Sequence, residues 1–311
     1  MKKLYYLSRF LLFLVGMTLT LHACLEENMD DCEPQQPNVK IVVRTLAEAS
    51  RATDTNTTSD IDNVVLYVFD ENENFVTMWQ GGTYTYGEEY AAYIDMYPGT
   101  YHFVVWTNQF TTYAPSETRN TAAELVVSLQ YPSDKKVTTQ IPELHHGMLL
   151  NAEVTVNTDN EFLILIAPNT YKLNFTVEGL QPDDNQYSFT VTDNNTHYAF
   201  DNTILEGMEE IAYIRTTAFT GDELATSMNV LRLTDSRSPT FDFSNLTRDE
   251  SIFTDGLVNI IKKAYNSAGL TVDFDSEHEF DITLTFNAWM EVTISVNGWS
   301  YTPNETQLTG S

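Results

Sequence analysis

Short apolar runs rich in Val, Ile, Thr, Tyr and Phe recur along the whole chain, and Asn, Asp, Gly and Pro separate them. Runs this short, bounded by turn formers, specify strands joined by turns and leave little room for helices. Residues 64–69 (VVLYVF) are apolar at every position, as a strand covered on both faces requires. Val292, Ile294 and Val296 alternate with Thr293 and Ser295, the pattern of a half-buried antiparallel strand. About sixteen such strands are expected, among them 39–45, 75–80, 99–107, 123–128 and 149–156. One segment breaks the pattern. Ile252, Phe253, Leu257, Ile260, Ile261, Ala264 and Tyr265 recur at helical spacing, and Gly269 follows as a C′ residue. These positions predict an amphipathic helix over 255–268. The expected class is therefore all-β, with two β-sandwiches in tandem and one helix packed on the second. The boundary falls near 167–169, where Pro168 interrupts two apolar runs, giving sandwiches over 38–167 and 168–311.

The amino terminus reads as a bacterial lipoprotein signal over residues 1–23. Lys2, Lys3 and Arg9 precede a short apolar core at 10–19, and Leu21-His22-Ala23-Cys24 supplies a small-residue cleavage site followed by cysteine. The apolar run is about half the ~20 residues needed to cross a bilayer, so a cleaved signal is expected and not a membrane helix. Cys24 is the expected lipidation site. Several acyl chains, each adding ~0.8 kcal/mol per buried methylene, would tether the mature chain firmly to the outer membrane. Residues 24–37 form an acidic spacer, and the run Glu26-Glu27-Asn28-Met29-Asp30-Asp31 resembles the outward-export signal of surface lipoproteins. With Cys24 lipidated only Cys32 remains, so no intramolecular disulfide can form and the core alone must hold the fold.

Charge narrows the partners. The whole chain carries −28, and loss of the basic signal leaves 13 Lys and Arg against 44 Asp and Glu, or −31. Such a surface repels nucleic acid and anionic lipid headgroups.

No catalytic or cofactor-binding constellation survives inspection. Asp70-Glu71-Asn72-Glu73-Asn74 opens like an EF-hand loop, but Phe75 stands where glycine is needed and Gly81 where a bidentate Glu is needed, so a hairpin turn is expected. His145 and His146 are adjacent on an extended segment and point to opposite faces, a poor arrangement for one metal. Ser133-Asp134-Lys135-Lys136 has SxxK spacing without its companion motifs. Trp79, Trp106, Trp289 and Trp299 could stack on sugars, although such residues more often fill sandwich cores. No catalytic residue, metal ligand or cofactor is therefore assigned.

Several stretches stand in order along nearly the entire chain: Asp30-Asp31-Cys32, the run from Ile61 to Asp70 followed by Phe75-Val76, Tyr97-Pro98-Gly99-Thr100-Tyr101-His102-Phe103-Val104-Val105-Trp106, Leu144-His145-His146-Gly147, Leu231-Arg232-Leu233-Thr234 with Ser236-Arg237, and the closing Ile294-Ser295-Val296-Asn297-Gly298-Trp299. Together they resemble the FimB/Mfa-type fimbrial anchor (minor fimbrillin) lipoprotein family of type V pili. The resemblance implies two transthyretin-like sandwiches and a non-catalytic role at the base of a pilus, with a fimbrial stalk subunit as partner. It also implies strand complementation, in which a donor strand satisfies an open sheet edge and fills the core with alternate side chains. In related stalk subunits a trypsin-like protease removes the first strand after a loop arginine. Here Arg51, within the polar stretch 48–62, resembles such a processing site. Cutting there would separate the lipid on Cys24 from most of the protein unless the first strand stayed paired. The alternatives are a stalk or tip fimbrillin matured at Arg51, or a surface glycan-binding lipoprotein using some of its tryptophans.

Overall fold

A computed structural model describes residues 38–45, 61–83, 89–156 and 158–303. Cys24, Cys32 and Arg51, and the calls that rest on them, lie outside the described residues. In chain order the first half contributes β1 (Val39–Thr45), β2 (Val64–Asp70), β3 (Phe75–Gln80), β4 (Tyr90–Ile94), β5 (Gly99–Thr107), β6 (Tyr113–Pro115), β7 (Val126–Leu129), β8 (Lys136–Val137), β9 (His145–Val154) and β10 (Asn160–Pro168). The second contributes β11 (Thr170–Glu178), β12 (Tyr187–Asp193), β13 (His197–Ala199), β14 (Ile211–Thr217), β15 (Leu224–Leu231), β16 (Thr240–Asn245), β17 (Glu250–Gly256), α1 (Leu257–Ser267), β18 (Glu279–Phe286), β19 (Val292–Val296) and β20 (Trp299–Tyr301). The class is all-β, with one α-helix among the described residues.

A seven-stranded sheet in the order β3-β2-β5-β9-β10-β1-β4 dominates the first half. Two five-stranded sheets, β15-β11-β18-β19-β20 and β17-β16-β12-β14-β8, make up most of the second. Two pairings cross between the halves. β8 runs parallel to β14 at the edge of a second-half sheet, and β13 pairs with β7 in a three-stranded sheet with β6.

β2 shows why both faces of the large sheet are apolar. Val64, Leu66 and Val68 enter a core made entirely of first-half residues. Val65, Tyr67 and Phe69 enter a larger core that continues through the second half. That second core is held by stacked and tilted aromatic contacts, including Phe175 on Phe241 at 4.7 Å and Phe189 on Phe243 at 4.9 Å.

The local differences from expectation have physical causes. β9 starts at His145, earlier than 149, because β5 and β10 both pair with its first residues. Ala122–Glu124 forms a 3-10 turn, so β7 starts only at Val126. Ile252 and Phe253 mimic helical spacing but belong to β17, where Phe253 pairs with Phe243 and packs on the Phe241 ring. The helix begins only after Gly256, and it buries Leu257, Val258, Ile260, Ile261, Ala264 and Tyr265 against β17, β19 and β20.

Candidate functional site

The first strand and the slot that holds it are the feature with functional reach. Val39, Ile41 and Val43 alternate along β1, so one face is continuously apolar, and each is at most 1% exposed in the first-half core. β1 is paired on both edges. It lies parallel to β10, from Val39 opposite Asn160 to Thr45 opposite Ile166, and antiparallel to β4, from Val39 opposite Ile94 to Val43 opposite Tyr90. The other face carries Lys40, which bonds Glu161 at 3.2 Å and lies 3.7 Å from Glu89, and Arg44, which pairs with Glu89.

Two asparagines fix where the strand starts. Asn38 Nδ2 donates to the Met96 carbonyl at 2.6 Å while its Oδ1 accepts the Met96 N–H at 2.9 Å. Asn160, almost fully buried, donates to the carbonyls of Asn38, Thr155 and Thr158 and accepts the Thr155 N–H. In sequence both read as ordinary turn formers, and only their position beside a strand end hints at the clamp.

Other residues singled out by sequence are structural. Asp70 Oδ1 accepts the N–H groups of Asn72 and Asn74, and Glu73 adopts a φ of 62°, which makes the segment the β2–β3 hairpin turn. Lys135 sits in a turn with its ammonium 3.1 Å from Glu209, and its carbonyl receives the Ala212 N–H that starts the β8–β14 pairing. Among the described residues no group of three or more His, Cys, Asp or Glu could hold a metal ion, and no helix is long and apolar enough to cross a membrane. The tryptophans do not converge. Trp106 is fully buried against His146 and Tyr198, Trp79 and Trp299 are partly buried, and Trp289 is 83% exposed.

Gly147 has a packing reason. A Cβ there would lie 2.4 Å from the Leu165 carbonyl oxygen, so only glycine lets β9 approach β10 this closely. Beside it, the His145 backbone N–H donates to the Thr107 hydroxyl oxygen at 2.9 Å, and His146 Nε2 donates to the Phe200 carbonyl at 2.9 Å. Burial pushes both imidazoles down from 6.5 to about 4. A folded-state value below the unfolded one means that the unfolded chain takes up protons first as pH falls. Stability is therefore full above about pH 6.5 and declines between there and about pH 4, by up to about 3 kcal/mol per histidine. Thermal melts from pH 7 to 4.5 should show this decline, and His146→Gln should flatten part of it. An unchanged slope in the variant would remove His146 from the account.

The arginine element ties together segments of the second half that are distant in sequence. Arg232 donates to the Asn202 carbonyl and to Asp275. Arg237 and Asp193 form a buried ion pair at 2.7 Å, with side chains 9% and 6% exposed. Sequence reading placed Arg237 in a motif but offered no signal for its partner, 44 residues away.

The family model of fimbrillin-A associated anchor proteins Mfa1 and Mfa2 matches residues 29–305. The chain belongs to this anchor-protein family. Its fold is that of the fimbrial anchor protein Mfa2 from Porphyromonas gingivalis, at a TM-score of 0.62 and 18% identity over 85% of this chain and 99% of that one. Two Bacteroides thetaiotaomicron structures share it. One, a candidate polysaccharide-binding protein, has a TM-score of 0.69 and 17% identity over 86% of this chain and 99% of that one. The other, a candidate adhesin, has a TM-score of 0.64 and 20% identity over 85% and 97%. A comparison with proteins of curated function finds no match. Family membership puts the chain among fimbrium-associated, cell-surface proteins.

Proposed function

We propose that this chain is a non-catalytic, lipid-anchored assembly protein that attaches the base of a fimbria to the outer membrane through a joint with a stalk subunit. Two transthyretin-like sandwiches, divided near 167–168, carry this role, and the lipid sits on Cys24. The observation that carries the reading is the doubly paired β1, in a chain whose family is that of fimbrial anchors. A lipid at Cys24 holds the body only if the chain through β1 stays joined to it. Burial of Val39, Ile41, Val42 and Val43 stabilises that attachment by about 6–12 kcal/mol, at ~1.5–3 kcal/mol per side chain. Hydrogen bonding on both edges adds to it. Even a chain cut after Arg51 would keep β1 in place until a competing strand displaced it. Because its own slot is filled, strand complementation with the stalk subunit takes place elsewhere on the chain.

Two measurements test this. Deleting the gene should yield shed or abnormally long fimbriae, and normal attached fimbriae in the deletion strain would sink the anchor role. Mass analysis of the amino terminus of the surface form should find a lipidated Cys24. A start at Ala52 would make the chain a matured stalk or tip subunit instead.

A further inference from the structure

We propose that the pole of the second half remote from β1, centred on Trp289, is the surface that receives the first stalk subunit through an apolar cleft with a basic rim. The inference rests on the anchor reading and adds where the joint is made.

Strand direction places the two ends of the molecule. Asn38, where the chain enters the body, sits with Met96 and Asn160 at the far end of the seven-stranded sheet. The opposite end of that sheet meets the second half. There His146 bonds Phe200, Asn229 bonds the Ile141 carbonyl, and Lys136 pairs with Ala212. In the second half these contacts lie near Thr170, Asp193, Ile211 and Leu231, which are paired strand ends. The other strand ends, Val177 with Leu224, Tyr187 with Thr217 and Asn245, and Phe286 with Val292, therefore form the pole away from Asn38. A subunit held at Asn38 by its tether presents this pole outward.

The loop between β18 and β19 projects from it. Asn287 Oδ1 accepts the N–H groups of Trp289 and Glu291 at 2.9 and 3.0 Å, and Asn287 Nδ2 donates to Glu291 Oε2 at 2.6 Å. The Met290 N–H donates to the Asn287 carbonyl at 3.0 Å, and Met290 is held at a φ of 63°. Beneath the loop Gly179, at a φ of 82°, lies so close that a Cβ would come within 1.9 Å of the Phe286 carbonyl oxygen. So many local bonds leave the loop little freedom, yet Trp289 is 83% exposed and Met290 50%. On the adjoining β16–β17 turn Leu246 is 49% exposed. A preorganised aromatic in solvent contributes nothing to this fold, but it loses little entropy on entering a partner's pocket.

Charge states what the partner must look like. Asp184, Asp222, Asp249 and Glu291 are exposed on the loops of this pole, and the exposed Arg248 beside Asp249 faces Asp183 at 3.9 Å, so the balance there is acidic. An acidic rim around an apolar centre disfavours anionic membranes and nucleic acid, and it selects a protein cleft edged with Lys and Arg.

The test is titration of the detergent-solubilised mature chain with the stalk subunit purified from the same fimbriae. Trp289→Ala should weaken binding at least tenfold without lowering the melting temperature, and wild-type binding should weaken as salt is raised. Tyr93→Ser, on an exposed face of the first half, should leave affinity unchanged. Equal affinity of Trp289→Ala and wild type overturns the pole while leaving the anchor reading intact. No binding by the wild type overturns both.

Discussion

Ile41→Asp is expected to unfold the first half and, with it, to remove attached fimbriae from the cell. Ile41 is fully buried between β10 and β4. The change deletes apolar contact worth about 2–5 kcal/mol and places a carboxylate among the apolar side chains of the first-half core, which costs several kcal/mol more. Domains have about 5–15 kcal/mol in total, so the loss is comparable to the whole. The readouts are the thermal melt of the mature chain and hydrogen exchange of the β10 amides. Exchange matters most, because it separates release of β1 from general softening: Asn160 to Ile166 should lose protection on the edge that faces β1. Lys40→Gln, on the opposite face of the same strand, should melt like wild type, since exposed ion pairs contribute little. A stable Ile41→Asp chain with protected β10 amides would show that β1 is dispensable, and the case for β1 as the link between tether and body would fall.

Arg237→Ala should be a strongly destabilising single change within the second half. It leaves Asp193 as an uncompensated buried carboxylate beside Asn194, at a cost of about 3–5 kcal/mol. For a body of this size that lowers the melting temperature by roughly 5–9 °C. Asp193→Asn should cost less, because the asparagine still accepts from the guanidinium. Combining Arg237→Met with Asp193→Leu should restore much of the loss, since the desolvated charges disappear together. A double-mutant cycle reads the coupling directly. Additive losses across the cycle would mean that the two side chains matter separately and not as a pair.

How much of this could be read beforehand follows the physics of each element. β1, β3 and β5 were legible to the residue, because each alternates or fills completely between clear turn formers. β6, β8 and β20 were invisible, because a strand of two or three residues has no periodicity and exists only through its partner. The same applies to β7 with β13 and β8 with β14, pairings that bring distant segments together across the halves. Phe253 misled for another reason. Its spacing from Leu257 fits a helix, but contact with Phe241 and Phe243 decided for β17. At the candidate site the sequence marked β1 as a strand, but not as one enclosed on both edges by β10 and β4. The four tryptophans looked equivalent, and only packing distinguished the buried Trp106 from the projecting Trp289.

The parallel seating of β1 has a mechanical side. A pull on the chain ahead of Asn38, opposed by a load at the far pole, runs along the strand's own axis. The bonds from Val39–Asn160 to Thr45–Ile166, and those to β4, are then strained together in shear and cannot open one after another from an end. A strand entering from the other direction would peel like a zipper. In this orientation, drag on whatever the molecule holds is shared across the whole length of β1.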